Sequence, residues 1–323
     1  MPVLVLAEQV DGGIDDVSRQ AVTLARGYAE AAGQSLEAIL IGADGVAGLG
    51  ELGVQTVHIA SHDGLAAHAP QAWGRIVAEL IERLAPAAVI APGSERATEA
   101  MAHAAAIANL PLAVNCIEAA PGDPATVTRL RWGGSLLEQA ALHGAVKLLT
   151  VAPHTVAATA AAAPVQTAVA EFTPELSDAD LAVRVSETTQ TDTGGGVSLA
   201  DAKVVVSGGR GTGSAEGFAP IEALAAALGG AVGCSRAVTI AGWRPHTDQV
   251  GQTGTKIAPE IYIPCGISGA TQHMAGCKGA KRILAINTDP EAPIVSNADY
   301  AVIGDLHEVV PAITAAIAKA RGG

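Results

Sequence analysis

The chain has 323 residues, a hydrophobic fraction of 49% and a formal charge of −13 at pH 7. That length predicts about two domains of roughly 100–200 residues each, and the acidic balance excludes nucleic acid and anionic membrane as broad-surface partners. Aromatic residues make up only 2%, so the cores are built from Val, Leu, Ile and Ala, which suits α/β layers with near-continuous apolar strands.

The opening MPVLVLAE enters a strand at once, over residues 3–7, with no basic segment leading into an apolar stretch. The expectation is a cytoplasmic protein without signal or transit peptide and without a membrane span. A helix follows over 15–32, with Ala21, Leu24, Ala25 and Tyr28 at helical spacing and Gly33 as its terminator. Strands at 36–41, 56–60, 88–91 and 112–116 alternate with helices near 46–52, over 71–84 and over 95–108. Such alternation predicts a parallel sheet covered on both faces. Apolar runs at 125–131, 136–142 and 146–151 are joined by short turns with no helix between them. They read as antiparallel strands added to the same domain. Two further strands are expected at 165–172 and 182–188.

The stretch TQTDTGGGVSL, residues 189–199, marks the boundary, because threonine, aspartate and three consecutive glycines pack no core and bend easily. The chain thus reads as a two-domain α/β protein. An N-terminal α/β domain with added antiparallel strands spans 1–190, a glycine-rich linker 191–200, and a C-terminal domain with a doubly wound parallel sheet 201–323. In the second domain, strands fall at 203–206, 231–233, 261–264, 282–286 and 300–303, with helices over 219–228 and 306–320. Cys116, Cys234, Cys265 and Cys277 show no metal-ligand spacing. They read as buried thiols, and no metal site is expected.

The chemistry concentrates in the second domain. VVVSGGRGTG (204–213) is a strand running into a glycine-rich turn, placed where open α/β sheets bind ligands and ahead of a helix N-terminus. Its spacing is not G-x-G-x-x-G. Arg210 in that turn either adds charge against a pyrophosphate or is simply solvated. Residues 250–289 crowd glycines, hydroxyls and amides between short apolar runs, a composition that lets backbone N–H groups approach a large multi-oxygen ligand. Two such loops on one small domain point to a dinucleotide cofactor held along its length. Ser235 and Arg236 follow a buried strand, and Arg236 either faces solvent or lies flat on a conjugated ring. Gln249, Gln252, Thr253 and Gly254 form one polar turn; Ser268, Gly269, Gln272 and His273 form another. His273 is read either as a donor to a ring carbonyl or as a structural histidine. Asn287 and Asp289 follow a strand and face a ribose or adenine. Asp305 opens the last helix, where a capping carboxylate is the competing reading. Trp243, Arg244, Pro245 and His246 read as a surface proline turn. No motif supplies a Ser-His-Asp set or a carboxylate pair, so the residues describe a cofactor cradle suited to a redox carrier.

These runs closely resemble the α subunit of electron-transfer flavoprotein. The matching segments are VVVSGGRG (204–211), GCSRA (233–237), QVGQTG (249–254), APEIYIPCGISGATQH (258–273), AINTDPEAPI (285–294) and ADYAVIGDL (298–306). The first domain is similar more loosely, through VLVLAE and RLRWGGSLLEQA. The resemblance implies an αβ heterodimer in which the C-terminal domain of this chain holds an FAD, while the N-terminal domain contacts a β subunit that carries an AMP. It implies Arg210 at the pyrophosphate, Ser235 beside the flavin, and Arg236 over the ring. Gln252 and Thr253, within the Gln249–Gly254 run, line the redox-active edge. Ser268 and Gln272 match phosphate and ribityl contacts in the turn that holds Gly269. His273 lies near the flavin C2 carbonyl, and Asn287 and Asp305 at the adenosine end. The chain departs from the family at Thr255, where lysine is usual. The implied function is an electron carrier without an organic substrate of its own. It takes electrons from flavin dehydrogenases, such as the acyl-CoA dehydrogenases of fatty acid β-oxidation, to a membrane quinone oxidoreductase, swivelling on the glycine run 194–196. The alternative is a subunit of a nicotinamide-dependent or electron-bifurcating flavin oxidoreductase.

Overall fold

The computed structural model describes residues 1–321 apart from 11, 44, 47 and 188–196. The glycine run 194–196, and with it the expected hinge, lies outside the described residues. The chain divides into two compact units, Met1–Thr188 and Thr189–Gly323.

The first unit contains strands β1 (Val3–Leu6), β2 (Gln9–Val10), β3 (Gly13–Ile14), β4 (Leu36–Ile41), β5 (Thr56–Ala60), β6 (Ala88–Pro92), β7 (Leu112–Ala120), β8 (Ala125–Arg131), β9 (Leu136–Leu142), β10 (Lys147–Val151) and β11 (Ala168–Phe172). Its helices are α1 (Asp16–Ala32), α2 (Pro70–Leu84) and α3 (Glu95–Ala108). The main sheet runs β11-β5-β4-β1-β6-β10-β7-β8-β9. It is parallel from β11 through β7, and β8 and β9 add an antiparallel hairpin at one edge. Helix α1 begins where the Asp15 side chain accepts the Ser18 N–H and stops at Gly33 in a left-handed conformation. Ala21, Val22, Ala25, Tyr28 and Ala29 form its buried stripe.

Three expectations fail in this unit. The run at 146–151 does not extend the antiparallel hairpin; β10 inserts in parallel between β6 and β7. All five of its residues are buried, as befits a strand inside a sheet covered on both faces. The β8–β9 hairpin itself supplies the long connection that a parallel return requires. Residues 182–187 form no strand; Val183 and Val185 are exposed there, so no face is buried to reward pairing. Likewise the helix expected near 46–52 is a single 3-10 turn, Leu49–Leu52. The tip of the β8–β9 hairpin leaves Trp132, Leu136 and Leu137 exposed.

The second unit contains β12 (Val204–Gly208), β13 (Ala231–Cys234), β14 (Ile261–Cys265), β15 (Leu284–Asn287) and β16 (Tyr300–Ile303). Helices α4 (Ala219–Leu228), α5 (Arg236–Ile240), α6 (Thr271–Cys277), α7 (Pro293–Ser296) and α8 (Leu306–Arg321) surround them. The five strands form one parallel sheet in the order β13-β12-β14-β15-β16. Successive residues face opposite sides. Val206 and Ile263 pack with Phe218, Leu224 and Val310 under α4 and α8, while Val205 and Tyr262 pack with Val250, Ile257 and Cys277 on the other face. The Trp243–His246 segment is tied down by Arg244, which pairs with Asp248 and Glu222 and lies over the Phe218 ring. All four cysteines are buried and free, and burial pushes their thiols up to about 12.

Candidate functional site

In the second sheet β13 lies on one side of β12, and the chain then crosses to β14 on the other side. Strand order reverses there, and a crevice opens outside the carboxyl ends of the strands, as it does in doubly wound sheets generally. A cavity of about 600 Å³ occupies the crevice, within the range of small-molecule and cofactor sites. Residues following four strands meet in it: Arg210 after β12, Ser235 and Arg236 after β13, Ser268 after β14, and Asp289 after β15.

The floor is main chain. The Gly209 N–H donates to the Cys265 carbonyl at 2.9 Å, and the Gly211 N–H to the Gly266 carbonyl at 3.2 Å. Gly266 has φ +61°, and a Cβ on Gly211 would lie 2.7 Å from its Cα. The turns after β12 and β14 therefore touch backbone to backbone, which only glycine permits. The turn after β12 does not open a helix directly. Two 3-10 turns intervene and α4 starts only at Ala219, so the donors near Arg210 belong to the turn rather than to that helix.

The walls are cross-tied. Buried Gln249 donates from Nε2 to Thr253 Oγ1 at 3.0 Å, and its Oε1 accepts the Thr239 hydroxyl at 2.8 Å. The Gln252 N–H donates to the Gln272 carbonyl at 2.8 Å, closing the 249–254 loop onto α6. Asn287 donates from Nδ2 to the Ile267 carbonyl at 2.9 Å and accepts the Asp289 N–H at 3.0 Å. Its amide thus holds the Ile267 turn in place. His273 Nε2 lies 2.8 Å from the Tyr262 hydroxyl. Nδ1 is buried with no hydrogen-bond partner. Burial lowers the imidazole to about 4, with the Val250 backbone acting in the opposite direction, so the ring is neutral near pH 7.

Among the described residues, neither the Arg210 nor the Arg236 side chain has an ion-pair partner. Two unpaired guanidinium groups at one cavity, in a chain of net charge −13, make a site for an anion such as a pyrophosphate.

The structure brings Arg210, Ser235, Arg236, Gln249, Gln252, Thr253, Ser268, Gln272, His273 and Asn287 to this cavity. It places three expected residues elsewhere. Gly254 lies under Gln249, where a side chain would strike the Gln249 carbonyl. Gly269, at φ +81°, backs onto Ile294. Asp305 accepts the His307 N–H at 2.8 Å at the start of α8, the capping alternative. Sequence reasoning missed Gly211, Gly266, Ile267, Ala270 and Thr288 as lining residues. They lie inside the glycine-rich runs 204–213 and 250–289 that the sequence marks as ligand loops, but without a polar side chain none of the five stands out individually.

A parallel sheet whose strands end on a glycine-floored cavity with two free cations defines a nucleotide-cofactor-binding α/β domain. Comparison with known proteins narrows the class. Residues 3–177 match the electron transfer flavoprotein domain, and residues 198–278 match the electron transfer flavoprotein FAD-binding domain. The electron transfer flavoprotein subunit alpha of Mycobacterium leprae (strain TN) is 36% identical over 326 residues, covering 99% of each chain. That of Megasphaera elsdenii is 34% identical over 329 residues, 99% of this chain and 97% of the relative. Protein FixB of Clostridium saccharobutylicum is 34% identical over 323 residues, 97% of this chain and 95% of the relative. The chain belongs to the electron transfer flavoprotein α-subunit family, a family of electron-transferring flavoproteins whose α subunit pairs with a β subunit. No helix among the described residues is long and apolar enough to cross a membrane.

Proposed function

We propose that this chain holds FAD in the crevice of its second unit and carries electrons from flavin dehydrogenases, such as acyl-CoA dehydrogenases, to a membrane quinone oxidoreductase. It does so as one half of a heterodimer whose β subunit carries AMP. The observation that carries this reading is the pairing of the Gly211–Gly266 floor with unpaired Arg210 and Arg236.

FAD fits what the residues offer. The glycine floor admits a pyrophosphate close to main chain, and Arg210 beside it supplies the opposite charge. Arg236 opens α5 on the far wall, where a planar guanidinium stacks on a conjugated ring and favours its reduced, anionic forms. Gln252 and Thr253 stand on the cross-tied loop and present short polar groups to the same space. When bound, the isoalloxazine supplies the one- and two-electron chemistry; the chain's part is position and electrostatics. The exposed apolar tip at Trp132, Leu136 and Leu137 is the surface on the first unit that we assign to the β-subunit contact.

Co-expression with a β subunit tests the reading. The expected result is a yellow heterodimer with one FAD, bleached by dithionite and by an acyl-CoA dehydrogenase with its substrate. A correctly assembled but colourless heterodimer that takes up no added FAD would overturn the cofactor assignment. A yellow one that no flavin dehydrogenase reduces would overturn the partner assignment.

A further inference from the structure

Gln249 is a buried amide, 2% exposed, where the chain returns alongside the end of β13. Its main chain is clamped. The N–H donates to the His246 carbonyl at 3.0 Å, and the carbonyl accepts the Thr255 N–H at 2.7 Å. The next N–H, of Val250, donates to the Cys234 carbonyl at 2.9 Å. The loop closes on Gln249 because residue 254 is glycine: a Cβ there would lie 2.9 Å from Gln249 Cβ. Closure brings Thr253 against the Gln249 side chain.

Both ends of that side chain are taken. Nε2 donates to Thr253 Oγ1 at 3.0 Å, and Oε1 accepts the Thr239 hydroxyl at 2.8 Å. The same Thr239 hydroxyl lies 2.9 Å from the Arg236 carbonyl, one turn back along α5. With five residues, α5 is too short to hold its own shape. It depends on Val238, buried in the core, and on Thr239 at its side. One buried amide thus joins two cavity groups on separate segments, Arg236 on α5 and Thr253 on the loop. Thr239 is not itself among the residues that line the cavity. A direct contact between Gln249 and a cofactor has only the second Nε2 hydrogen and the second Oε1 lone pair to use.

We propose that Gln249 is a positioning residue whose amide locks the Thr253 hydroxyl and the start of α5 into one register, so that Arg236 and Thr253 tune a bound flavin as a pair. The effect on the cofactor rests on the FAD reading above; the tie itself does not. Residues in one hydrogen-bond network respond to substitution non-additively, whereas independent contacts add. That difference separates a residue acting through its neighbours from one touching the cofactor itself.

A double-mutant cycle in the full-length chain, co-purified with its β subunit, tests both. Gln249→Met keeps the length of the side chain and removes both bonds; Thr253→Val keeps the shape of the threonine. Each is expected to weaken FAD binding about fivefold, the worth of one net hydrogen bond, and to shift the flavin potential. The double variant is expected to stay near fivefold, against about 25-fold for independent sites. Thr239→Val, outside the cavity, should shift the potential of the wild type and leave that of Gln249→Met unmoved. Additive losses overturn the proposal, as does a Gln249→Met protein with wild-type affinity and potential. If Gln249→Met fails to fold, the Thr239→Val, Thr253→Val cycle decides: a shared shift in potential supports the tie and an additive one overturns it. The FAD-free heterodimer gives a second reading. Thr239→Val should move the backbone amide NMR signal of Thr253, and an unmoved signal overturns the tie. A wild-type heterodimer that takes up no FAD would sink the cofactor reading instead, with that signal still deciding the role of Gln249.

Discussion

Gly209→Ala is the sharpest test of the main-chain contact that supports the cavity floor, since Gly209 backs onto Gly266. Gly209 adopts φ −108° and ψ −162°, extended values open to alanine, so conformational strain does not enter. The new Cβ lands 2.7 Å from the Gly266 carbonyl carbon and 2.8 Å from Ile267 Cγ1, and closer still to the carbonyl oxygen. That oxygen also accepts the Gly211 N–H at 3.2 Å, so relieving the clash stretches a hydrogen bond. Overpacking costs about 1–3 kcal/mol and the weakened bond up to about 1 kcal/mol. The lower entropy of alanine in the unfolded chain returns about 0.4–1 kcal/mol. The net loss centres on about 2 kcal/mol, on the order of 10 °C in melting temperature for a unit of this size. A share of about 1.4 kcal/mol retained in the bound state lowers FAD affinity about tenfold. Gly213→Ala is the control: φ is +77° but no atom lies within 4 Å of the added carbon. Its φ/ψ of 77°/−33° lies outside the left-handed helical well, so it is expected to lose about 1–3 kcal/mol of stability to strain and to keep its FAD. Thermal unfolding and flavin-fluorescence titration of the heterodimer read both quantities. Wild-type behaviour of Gly209→Ala, or equal loss of FAD in Gly213→Ala, refutes the reasoning.

Arg236→Ala is expected to lower the flavin potential by on the order of 30 mV, which for a two-electron couple is about 1.4 kcal/mol; Arg236→Lys keeps part of it, and an unchanged potential in a dye-referenced titration removes the arginine from the ring. His273, at about 4 against an ordinary 6.5, is neutral in both folded and unfolded chains above pH 6.5. Between pH 6.5 and 4 the unfolded chain takes a proton that the folded one refuses, so stability falls with pH across that window by at most about 3 kcal/mol. His273→Gln should flatten this limb in urea titrations at pH 5 and 7, and equal slopes would count against the assignment. Asp305→Asn retains a capping side chain and should change neither melting temperature nor FAD affinity; a lower affinity would give the carboxylate a ligand role. The double variant Trp132→Ser, Leu137→Ser should weaken α–β association measured by sedimentation, and an unchanged dissociation constant would take the hairpin tip out of the interface.

Much of the fold is legible locally because the signals are local. Asp15 and Gly33 bracket α1, and Gly229 closes α4. The site's polar walls are legible for a related reason: Arg210, Arg236 and Ser268 follow strand ends, where an α/β sheet opens. What stays hidden depends on pairing at a distance. Lys147–Val151 looks the same whether it extends a hairpin or enters the middle of a sheet; only its neighbours β6 and β7 decide. Gly211 and Gly266 lie far apart in sequence, so their contact has no local sign. Asn287 announces itself as a ligand contact, yet its amide fastens the Ile267 turn. Tyr262 reads as one more apolar core position in a strand, and its hydroxyl acquires meaning only once His273 is folded against it.

The contact of Gly209 and Gly211 with Gly266 also bears on how such a molecule can change over generations. Substitution rewrites side chains, but the peptide groups exposed between two abutting turns belong to every sequence that keeps the turns. Drift can therefore retune the walls, residue by residue, while the surface beneath stays the same. Variation in redox behaviour among relatives should trace to the rim, and weakened hold on the coenzyme to the glycines where an added Cβ meets the facing turn.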